Sequence, residues 1–265
     1  MLPPKKSLGQ HFLRDDNIAR KIIDSLHLSP EDVVIEIGPG QGDLTKFLIR
    51  PGVRMLGIEV DPRAVNVLRD RFGTGLDVLE QDVLSVHLAE LSLPYGQSFC
   101  VVGNIPYYIT SEILFWLFDQ RGFFRHATLM MQAEVAQRLV AEPDSKEYGI
   151  LSIMTQFYSH SRLLFKVSRN SFHPIPRVDS AVVRIEPKPS LACADERLFR
   201  NVVRRTFGTR RKTLRNGLRM MGFSEGRLDG LPFDLTRRPQ QLTLSEFAHL
   251  TTLLAPFANE VQLSY

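Results

Sequence analysis

Cysteines and long apolar runs are scarce in this sequence of 265 residues. Its two cysteines, Cys100 and Cys193, form no CxxC pair and have no histidine pair nearby, which favours buried thiols of a cytosolic protein over a disulfide. The longest uncharged apolar run beside a predicted helix, residues 113–118, is far shorter than the roughly 20 residues that cross a bilayer. The charges near the start precede no apolar stretch of a secretory signal. These features predict a cytoplasmic protein with neither a membrane span nor a bound metal.

The overall composition is ordinary, but the charge is unevenly distributed. Hydrophobic residues make up 43% and charged residues 23%, which is typical of a soluble globular protein and excludes collagen-like and wholly disordered chains. The length corresponds to one or two domains. Residues 1–187 carry a net charge of −2 and residues 188–265 carry +6. A polyanionic partner is therefore expected for the basic segment.

Short β-rich apolar runs alternate with helical patterns over the first 185 residues. The predicted strands are residues 33–37, 54–60, 76–81, 99–102, 127–131 and 181–185. The predicted helices between them include residues 44–49, 64–71 and 111–118. Such alternation predicts βαβ units and a mostly parallel sheet. Two prolines in residues 186–190 indicate a linker, and only helical patterns follow it. We therefore expect an α/β domain over residues 1–187 and a small all-helical domain over residues 188–265.

A glycine-rich turn follows the first of these predicted strands. Gly38, Gly40 and Gly42 would let the backbone turn tightly and let a ligand approach it closely. The spacing is GxGxG, not the GxGxxG of dinucleotide sites, and Asp43 at the helix start disfavours a diphosphate ligand. Taken alone, the turn is also consistent with a plain connection between strand and helix.

Acidic residues follow at the ends of the next two predicted strands. Glu59 lies 21 residues after Gly38, where a carboxylate can accept both hydroxyls of a ribose. Asp82 lies at the end of the third strand, where it could accept from an adenine amino group. Singly, each acid could equally be a solvated residue or a helix cap. Because the carboxyl ends of parallel strands meet at one edge, the three features together predict a nucleoside site there.

The fourth predicted strand leads into Asn104, Ile105, Pro106 and Tyr107. A purine amine is a poor nucleophile, so an enzyme that alkylates it should accept hydrogen bonds from both of its N–H groups. The Asn104 side chain and the Ile105 backbone offer carbonyls for this purpose, and Tyr107 offers an aromatic face for the base. A sulfonium leaving group departs neutral, so orientation and charge placement would carry the catalysis. The alternative is a proline-containing loop with a core tyrosine.

Seven short segments extend this pattern over nearly the whole chain. They are SLGQHFL at 7–13, EIGPG at 36–40, GNIPY at 103–107, QAEVAQRL at 132–139, YGILS at 148–152, FHPIPRVDS at 172–180 and RRKTLRN at 210–216. In kind and order they resemble the ribosomal RNA adenine N6,N6-dimethyltransferase family, which includes the kasugamycin-sensitivity methyltransferases of bacteria and the eukaryotic dimethyladenosine transferases. The Asn-x-Pro-Tyr motif alone would also fit DNA adenine methyltransferases.

The resemblance implies a Rossmann-like methyltransferase sheet and S-adenosylmethionine as the methyl donor. The implied substrate is two adjacent adenosines in a hairpin loop near the 3′ end of small-subunit rRNA, within a pre-assembled small subunit, and the implied state is a monomer. The residues implied to bind the cofactor are His11, Leu13, Gly38, Gly40, Glu59, Asp82 and Asn104. Of these, Asn104 would also contact the target amine. The family often has Asn where this chain has His11, so a backbone contact is expected there.

An aromatic residue is predicted to complete the acceptor site. Phe172 opens a loop that two prolines stiffen. By the resemblance, its ring would stack on the face of a flipped base opposite Tyr107. Without the resemblance, Phe172 would be interpreted as a core residue.

A basic segment is predicted to contact RNA. Residues 204–219 contain seven basic residues and no acid. On a predicted helix over residues 210–221, Arg211, Lys212 and Arg215 lie away from an apolar stripe that contains Leu214 and Leu218. We expect these three cations to bind phosphate, which would position RNA without reading its sequence.

Two other functions remain open at this point. A large-subunit rRNA adenine methyltransferase of the macrolide-resistance type would share the first domain, although segments 148–152 and 210–216 favour the small-subunit branch. A ribosome-assembly or transcription factor could keep the fold without its catalysis. The intact Glu59, Asp82, Asn104 and Tyr107 argue against lost chemistry but leave a separate assembly role possible.

Overall fold

The computed structural model describes residues 2–5, 8–95, 98–189 and 195–261. Ser7, Ser190 and Cys193 lie outside these described residues, so the start of the first motif, the end of the predicted linker and one predicted thiol are not covered. The chain divides into two compact units. Unit 1 comprises Met1–Ala136 and His160–Lys188, and unit 2 comprises Gln137–Ser159 and Pro189–Tyr265.

Strands and helices alternate along the first part of the chain, as the sequence predicts. The strands of the described residues are β1 Phe12–Leu13, β2 Val33–Ile37, β3 Arg54–Glu59, β4 Asp77–Glu80, β5 Phe99–Asn104, β6 Phe124–Gln132, β7 Ser159–Val167, β8 Phe172–His173 and β9 Ser180–Pro187. The helices up to the second unit are α1 Asp16–Asp24, α2 Thr45–Leu48, α3 Pro62–Phe72, α4 Leu88–Tyr95, α5 Thr110–Asp119 and α6 Ala133–Leu139. Every predicted strand is present, with small differences at its ends.

Seven of these strands form one sheet in the order β4-β3-β2-β5-β6-β9-β7. The pairings from β4 to β6 are parallel, and β9 runs antiparallel to β6. The chain moves from β2 outward to β4 and then returns to the other side of β2 as β5. This reversal creates a crevice at the carboxyl ends of β2 and β5, the position where such sheets bind ligands. The predicted α/β class with a Rossmann-like sheet is confirmed.

Two parts of unit 1 are absent from the sequence-based prediction. Strand β7 lies at the sheet edge, where Arg162 and Lys166 are exposed and Leu164 and Phe165 are only half-buried. Its continuous apolar run is only three residues long, residues 163–165. The second part is the two-residue pair of β1 and β8, which places Leu13 opposite Phe172. Both side chains join the hydrophobic core of unit 1.

Unit 2 is built from helices. They are α7 Ile150–Tyr158, α8 Glu196–Gly208, α9 Leu214–Met221, α10 Glu225–Asp229 and α11 Leu244–Leu254. The ring of Phe157 in α7 stacks on Phe199 in α8, with centroids 4.2 Å apart. The Tyr148 hydroxyl donates to the Leu242 carbonyl at 2.8 Å.

These contacts correct the predicted division of the chain. The sequence analysis assigns residues 137–159 to the first domain, whereas the structure assigns them to unit 2. The partners of this segment lie roughly 40 to 95 positions further along the chain, so local patterns do not reveal them. The third and last crossing between the units, at Lys188 and Pro189, is one residue from the predicted boundary.

Cys100 is a buried free thiol, with its Sγ atom 3.4 Å from Nε2 of His126. Within the described ranges, no group of three or more His, Cys, Asp or Glu side chains is arranged to hold a metal ion. Nor does any helix there have both the length and the apolar character needed to cross a bilayer.

Gly217 permits the close packing of α9 on α8. A Cβ atom at this position would lie 2.9 Å from the Cα atom of Thr206, whereas one at Gly226 in α10 would meet nothing within 4 Å. We expect Gly217→Ala to lower the free energy of unfolding by about 1–3 kcal/mol through overpacking. The matched Gly226→Ala should be neutral or stabilising by up to about 1 kcal/mol, because alanine favours the helix. Urea unfolding followed by circular dichroism measures both, and equal effects would contradict this account.

Candidate active site

A cavity of about 300 Å³ opens at the carboxyl edge of the sheet in unit 1. Residues 8–13 and the loops that follow β2, β3, β4 and β5 form its walls. The site residues predicted from the sequence that line it are His11, Leu13, Gly38, Gly40, Glu59, Asp82, Asn104 and Tyr107. The sheet topology therefore brings together side chains that are almost a hundred positions apart.

The three glycines of the turn meet different surroundings. A Cβ atom on Gly42 would collide with the ring of Phe72, and one on Gly40 would lie 3.1 Å from the ring of Phe12. A Cβ atom on Gly38 would meet nothing within 4 Å. The backbone φ of Gly38 is +63°, a conformation that residues with a side chain rarely adopt. Gly38 is thus the position where the backbone is open to a ligand in the cavity.

Glu59 connects the two loops above β2 and β3. Its Oε2 atom accepts a hydrogen bond from the Gly40 N–H at 2.9 Å, and its Oε1 atom accepts one from the Asp61 N–H at 2.9 Å. Burial raises the pKa of the Glu59 carboxyl, while these backbone donors act in the opposite direction. A carboxylate has about four acceptor positions, so both oxygens can still accept hydroxyl groups from a ligand.

Glu36, which precedes the glycine turn near the end of β2, is a second buried acid to which the sequence analysis assigns no role. The Thr45 hydroxyl donates to its Oε2 atom at 2.6 Å. Burial raises the pKa of Glu36 to about 8. The carboxyl therefore carries a proton in the folded protein at neutral pH, although the same group would be ionised in the unfolded chain.

Asp61 holds the N-terminal segment against the site, and the sequence-based prediction also missed it. Its Oδ2 atom accepts from Nε2 of Gln10 at 3.1 Å and from the Arg63 guanidinium at 2.6 Å. The guanidinium and the amide hold the pKa of this buried carboxyl well below its usual range. An acid two positions after Glu59, followed by Pro62 at a helix start, is the only sequence signal, and it identifies a helix cap alone.

Asn104 and the N-terminal segment are directly bonded. The Asn104 side-chain nitrogen donates to the His11 backbone carbonyl at 2.8 Å. Since the nitrogen is engaged, the Oδ1 atom is the acceptor that remains for a ligand. The His11 ring is held separately, because its Nδ1 atom donates to the Pro174 carbonyl at 2.7 Å.

Tyr107 is fixed at two points. Its hydroxyl and the hydroxyl of buried Ser180 are 2.7 Å apart. The His11 ring lies against its ring at a centroid distance of 5.6 Å and an interplanar angle of 26°. The next residue, Tyr108, is 55% exposed. An aromatic platform therefore stands beside the side-chain oxygen of Asn104.

Phe172 does not occupy the predicted stacking position. Its side chain is 2% exposed, belongs to the hydrophobic core and does not line the cavity. The pairing of β8 with β1 turns the ring inward, toward the same core as Leu13. This corrects the expectation that Phe172 faces Tyr107 across a base, and the aromatic partner of Tyr107 in this structure is His11.

Asp82 is exposed at the cavity, two residues after the end of β4. Its Oδ1 atom accepts from the Leu84 N–H at 3.0 Å and caps a single helical turn. Among the described residues its Oδ2 atom makes no hydrogen bond. One carboxylate oxygen of Asp82 thus caps a helical turn, and the other remains able to accept a hydrogen bond from a ligand.

The basic segment of unit 2 differs from its prediction in two respects. Helix α8 ends at Gly208 and α9 begins at Leu214, so Arg211 and Lys212 lie in the connecting turn. Both are exposed. Arg215 instead donates to the carboxylates of Glu225 and Asp229 at 2.9 and 2.7 Å. The expectation that no acid neutralises these cations is therefore wrong for Arg215, because α10 supplies acids that follow it in the chain.

Comparisons with known proteins agree with this arrangement. Residues 2–247 match the family model described as ribosomal RNA adenine dimethylase. A protein of Chlorobium phaeobacteroides (strain BS1) named ribosomal RNA small subunit methyltransferase A is 44% identical over 252 residues, which cover 95% of this chain and 94% of that protein. A dimethyladenosine transferase structure from Plasmodium falciparum has a TM-score of 0.75 at 27% identity, with 96% of this chain and 100% of that chain covered. The structure of the 23S rRNA methyltransferase ErmE has a TM-score of 0.66 at 27% identity, with 92% and 99% covered.

The buried acid of the glycine motif generates a pH prediction. Between pH 4.5 and about 8, the folded chain holds a proton on Glu36 that the unfolded chain releases. The free energy of unfolding should therefore fall as the pH rises through this window, by roughly 3 kcal/mol at pH 7 from this group alone. Glu36→Gln removes the titration, so its stability should fall less steeply with pH than that of the wild type.

Denaturant unfolding at several pH values measures this difference. Glu90→Gln, which changes an exposed glutamate, is the control and should keep the wild-type profile. Parallel profiles for wild type and Glu36→Gln would contradict the assignment of a protonated Glu36.

Proposed function

The chain belongs to the ribosomal RNA adenine dimethylase family, and we propose that it dimethylates N6 of two adjacent adenosines in a hairpin loop near the 3′ end of small-subunit rRNA. It is an S-adenosylmethionine-dependent methyltransferase. One observation carries the proposal for its site. A single cavity is lined both by a glycine turn with two acids suited to a nucleoside and by an Asn-Ile-Pro-Tyr segment suited to a purine amine.

The cavity residues fit S-adenosylmethionine. The open space over Gly38 can accept a ligand against the backbone, as the methionine part requires. The two Glu59 oxygens can accept from the ribose hydroxyls, and Asp82 Oδ2 can accept from the adenine amine. His11 and Leu13 are assigned to the methionine end, where a backbone contact from His11 is expected. When bound, S-adenosylmethionine would supply a methyl group from its positively charged sulfur, and that sulfur would become a neutral thioether.

Asn104 and its neighbours orient the acceptor amine. The Asn104 Oδ1 atom accepts one N–H of the adenine N6 amine, and the Ile105 backbone carbonyl accepts the other. Both bonds draw the nitrogen lone pair out of conjugation with the ring and aim it at the methyl group. They also stabilise the positive charge that develops on nitrogen before its proton is lost. The Tyr107 ring, held by Ser180 and His11, provides the surface on which the flipped base stacks.

Unit 2 is assigned a role in RNA backbone binding. Arg211 and Lys212 are exposed in the turn before α9, and no side-chain ion pair is found for them among the described residues. Arg215 has two acidic partners and contributes less. Phosphate contacts of this kind position an RNA without reading its sequence. We assign the substrate to a pre-assembled small subunit in the cytoplasm, modified by a monomer of this protein.

Two other functions are less well supported. The structural likeness to the 23S rRNA methyltransferase ErmE is at 27% identity. The likeness to small-subunit methyltransferases reaches 44% over 95% of the chain, and this favours the small subunit. A role in assembly without catalysis would not require Asn104 and Tyr107 on the same cavity as Glu59.

The function is tested by methyl transfer with an Asn104 variant. Purified protein, S-adenosylmethionine and small subunits from a strain lacking this methylation should give dimethyladenosine in the 3′-end hairpin by mass spectrometry. Asn104→Ala should lower kcat by about 100-fold or more, because the contact that orients the amine is lost. RNA affinity should change little. Asn66→Ala, an exposed asparagine on α3, is the control. Methylation of large-subunit RNA alone, or full activity of Asn104→Ala, would reject the proposal.

The RNA assignment in unit 2 predicts different effects of its cations. The double variant Arg211→Ala/Lys212→Ala should weaken RNA binding. It should also reduce the slope of log affinity against log salt by about 1.5, because binding without these two phosphate contacts releases fewer counterions. Arg215→Ala should flatten it by less, since Glu225 and Asp229 already neutralise that cation. Affinity for S-adenosylmethionine should stay unchanged in both variants. An unchanged slope in the folded double variant would remove the RNA contact from this turn.

A further inference from the structure

The burial of Phe172 leaves the outer side of the acceptor site to another segment. After β8 enters the core, the chain passes through residues 174–179, here called the lip, and returns to the sheet at Ser180. Both ends of the lip are linked to Tyr107. The Pro174 carbonyl accepts from the His11 ring that lies against Tyr107, and Ser180 bonds the Tyr107 hydroxyl. The lip therefore lies beside the proposed platform for the base.

The lip has an unusual surface for an exposed loop. Ile175 is 60% exposed and Val178 is 45% exposed. Arg177, between them, is also exposed, and its side chain makes no hydrogen bond or ion pair within the part of the chain that the structure describes. Apolar side chains and a free cation thus alternate on a segment of four residues. This combination matches a nucleic acid strand, which offers base and ribose surfaces beside phosphates.

The lip is already ordered by the rest of unit 1. The Asp179 carboxylate accepts from the Arg169 N–H at 2.9 Å, and the Asp179 carbonyl accepts from the Ala133 N–H at 3.0 Å. The Arg169 guanidinium donates to the Arg177 carbonyl at 3.3 Å. The acid of the lip thus has a backbone partner, and no ion pair between Asp179 and Arg177 is found among the described residues. A segment held in this way loses little conformational freedom when a ligand binds.

We propose that the lip is a contact surface for the RNA strand that carries the target adenosine, with Ile175 and Val178 packed on base and ribose surfaces and Arg177 bound to a phosphate beside the flipped nucleotide. This inference rests on the proposed function. The occupant is RNA because the cation needs an anionic partner and because the lip continues the acceptor site at Tyr107. The apolar contacts replace the stacking that a base loses when it flips out.

Two lip variants and two matched controls test the proposal. Arg177→Ala removes the cation, and Arg54→Ala removes an exposed arginine at the amino end of β3, on the opposite edge of the sheet. Ile175→Ser shortens the apolar surface, and Leu93→Ser changes a leucine in α4 that is 84% exposed. The probes are a synthetic RNA hairpin with two adjacent loop adenosines and small subunits that lack the methylation. Unchanged S-adenosylmethionine affinity and circular dichroism establish that each variant is folded.

Arg177→Ala should weaken hairpin binding about 3- to 10-fold and flatten its salt slope by somewhat less than one, as expected for one phosphate contact. Arg177→Lys should restore most of the affinity, because a lysine can still bind phosphate as a point charge. Ile175→Ser should lower kcat/KM about 5-fold or more, with the controls at wild-type values.

Three results would overturn the inference. Lip variants that behave like Arg54→Ala and Leu93→Ser, with an active wild type, would mean that the lip faces solvent while the proposed function stands. Lost affinity for small subunits with unchanged affinity for the naked hairpin would assign the lip to a protein contact. A wild type that methylates neither probe would reject the proposed function and the lip with it.

Discussion

The carboxylate of Glu59 is the interaction on which the shape of the cavity depends. Its two oxygens accept from the backbone of the glycine turn and from Asp61 at the start of α3. One buried acid therefore holds two loops from neighbouring parallel strands at a set separation. Asp61 in turn fixes Gln10 of the N-terminal segment. Without these bonds, three walls of the cavity would lose their common attachment.

The acceptor side is organised around Tyr107. Its hydroxyl is held from β9 by Ser180, and its ring is supported by His11, whose own ring is held by the Pro174 carbonyl. Asn104 is bonded to the backbone of the same His11. The N-terminal segment thus contacts both Asn104 and Tyr107, the residues proposed to bind the amine and to stack on the base.

The charges that lie close together in the folded chain differ from those that are neighbours in the sequence. Residues 204–219 contain no acid, yet Arg215 and Arg219 pair with Glu225 of the following helix. Arg211 and Lys212 remain exposed because the turn between α8 and α9 carries them away from these acids. In unit 1, by contrast, Arg177 belongs to a segment of ordinary composition and is distinguished by its exposure on a loop whose flanking residues Pro174 and Ser180 bond His11 and Tyr107. Net charge over a segment therefore does not reveal which of its cations have acidic partners in the folded chain.

The sequence by itself determined the succession of the main strands along the chain and the cavity residues that follow them. Local periodicity identifies β2 to β6 and β9 but not β1, β7 or β8. Parallel strands end at one edge, so the positions of Gly38, Glu59 and Asp82 were enough to predict that they meet. Asn104 was assigned to the site from the Asn-Ile-Pro-Tyr segment. Only the tertiary structure decided the burial of Phe172, the support of Tyr107 and the membership of residues 137–159 in unit 2. These outcomes depend on strand pairing and on aromatic contacts between segments far apart in the chain. Packing between such segments is set by the shape and burial of the folded chain, which no local pattern encodes.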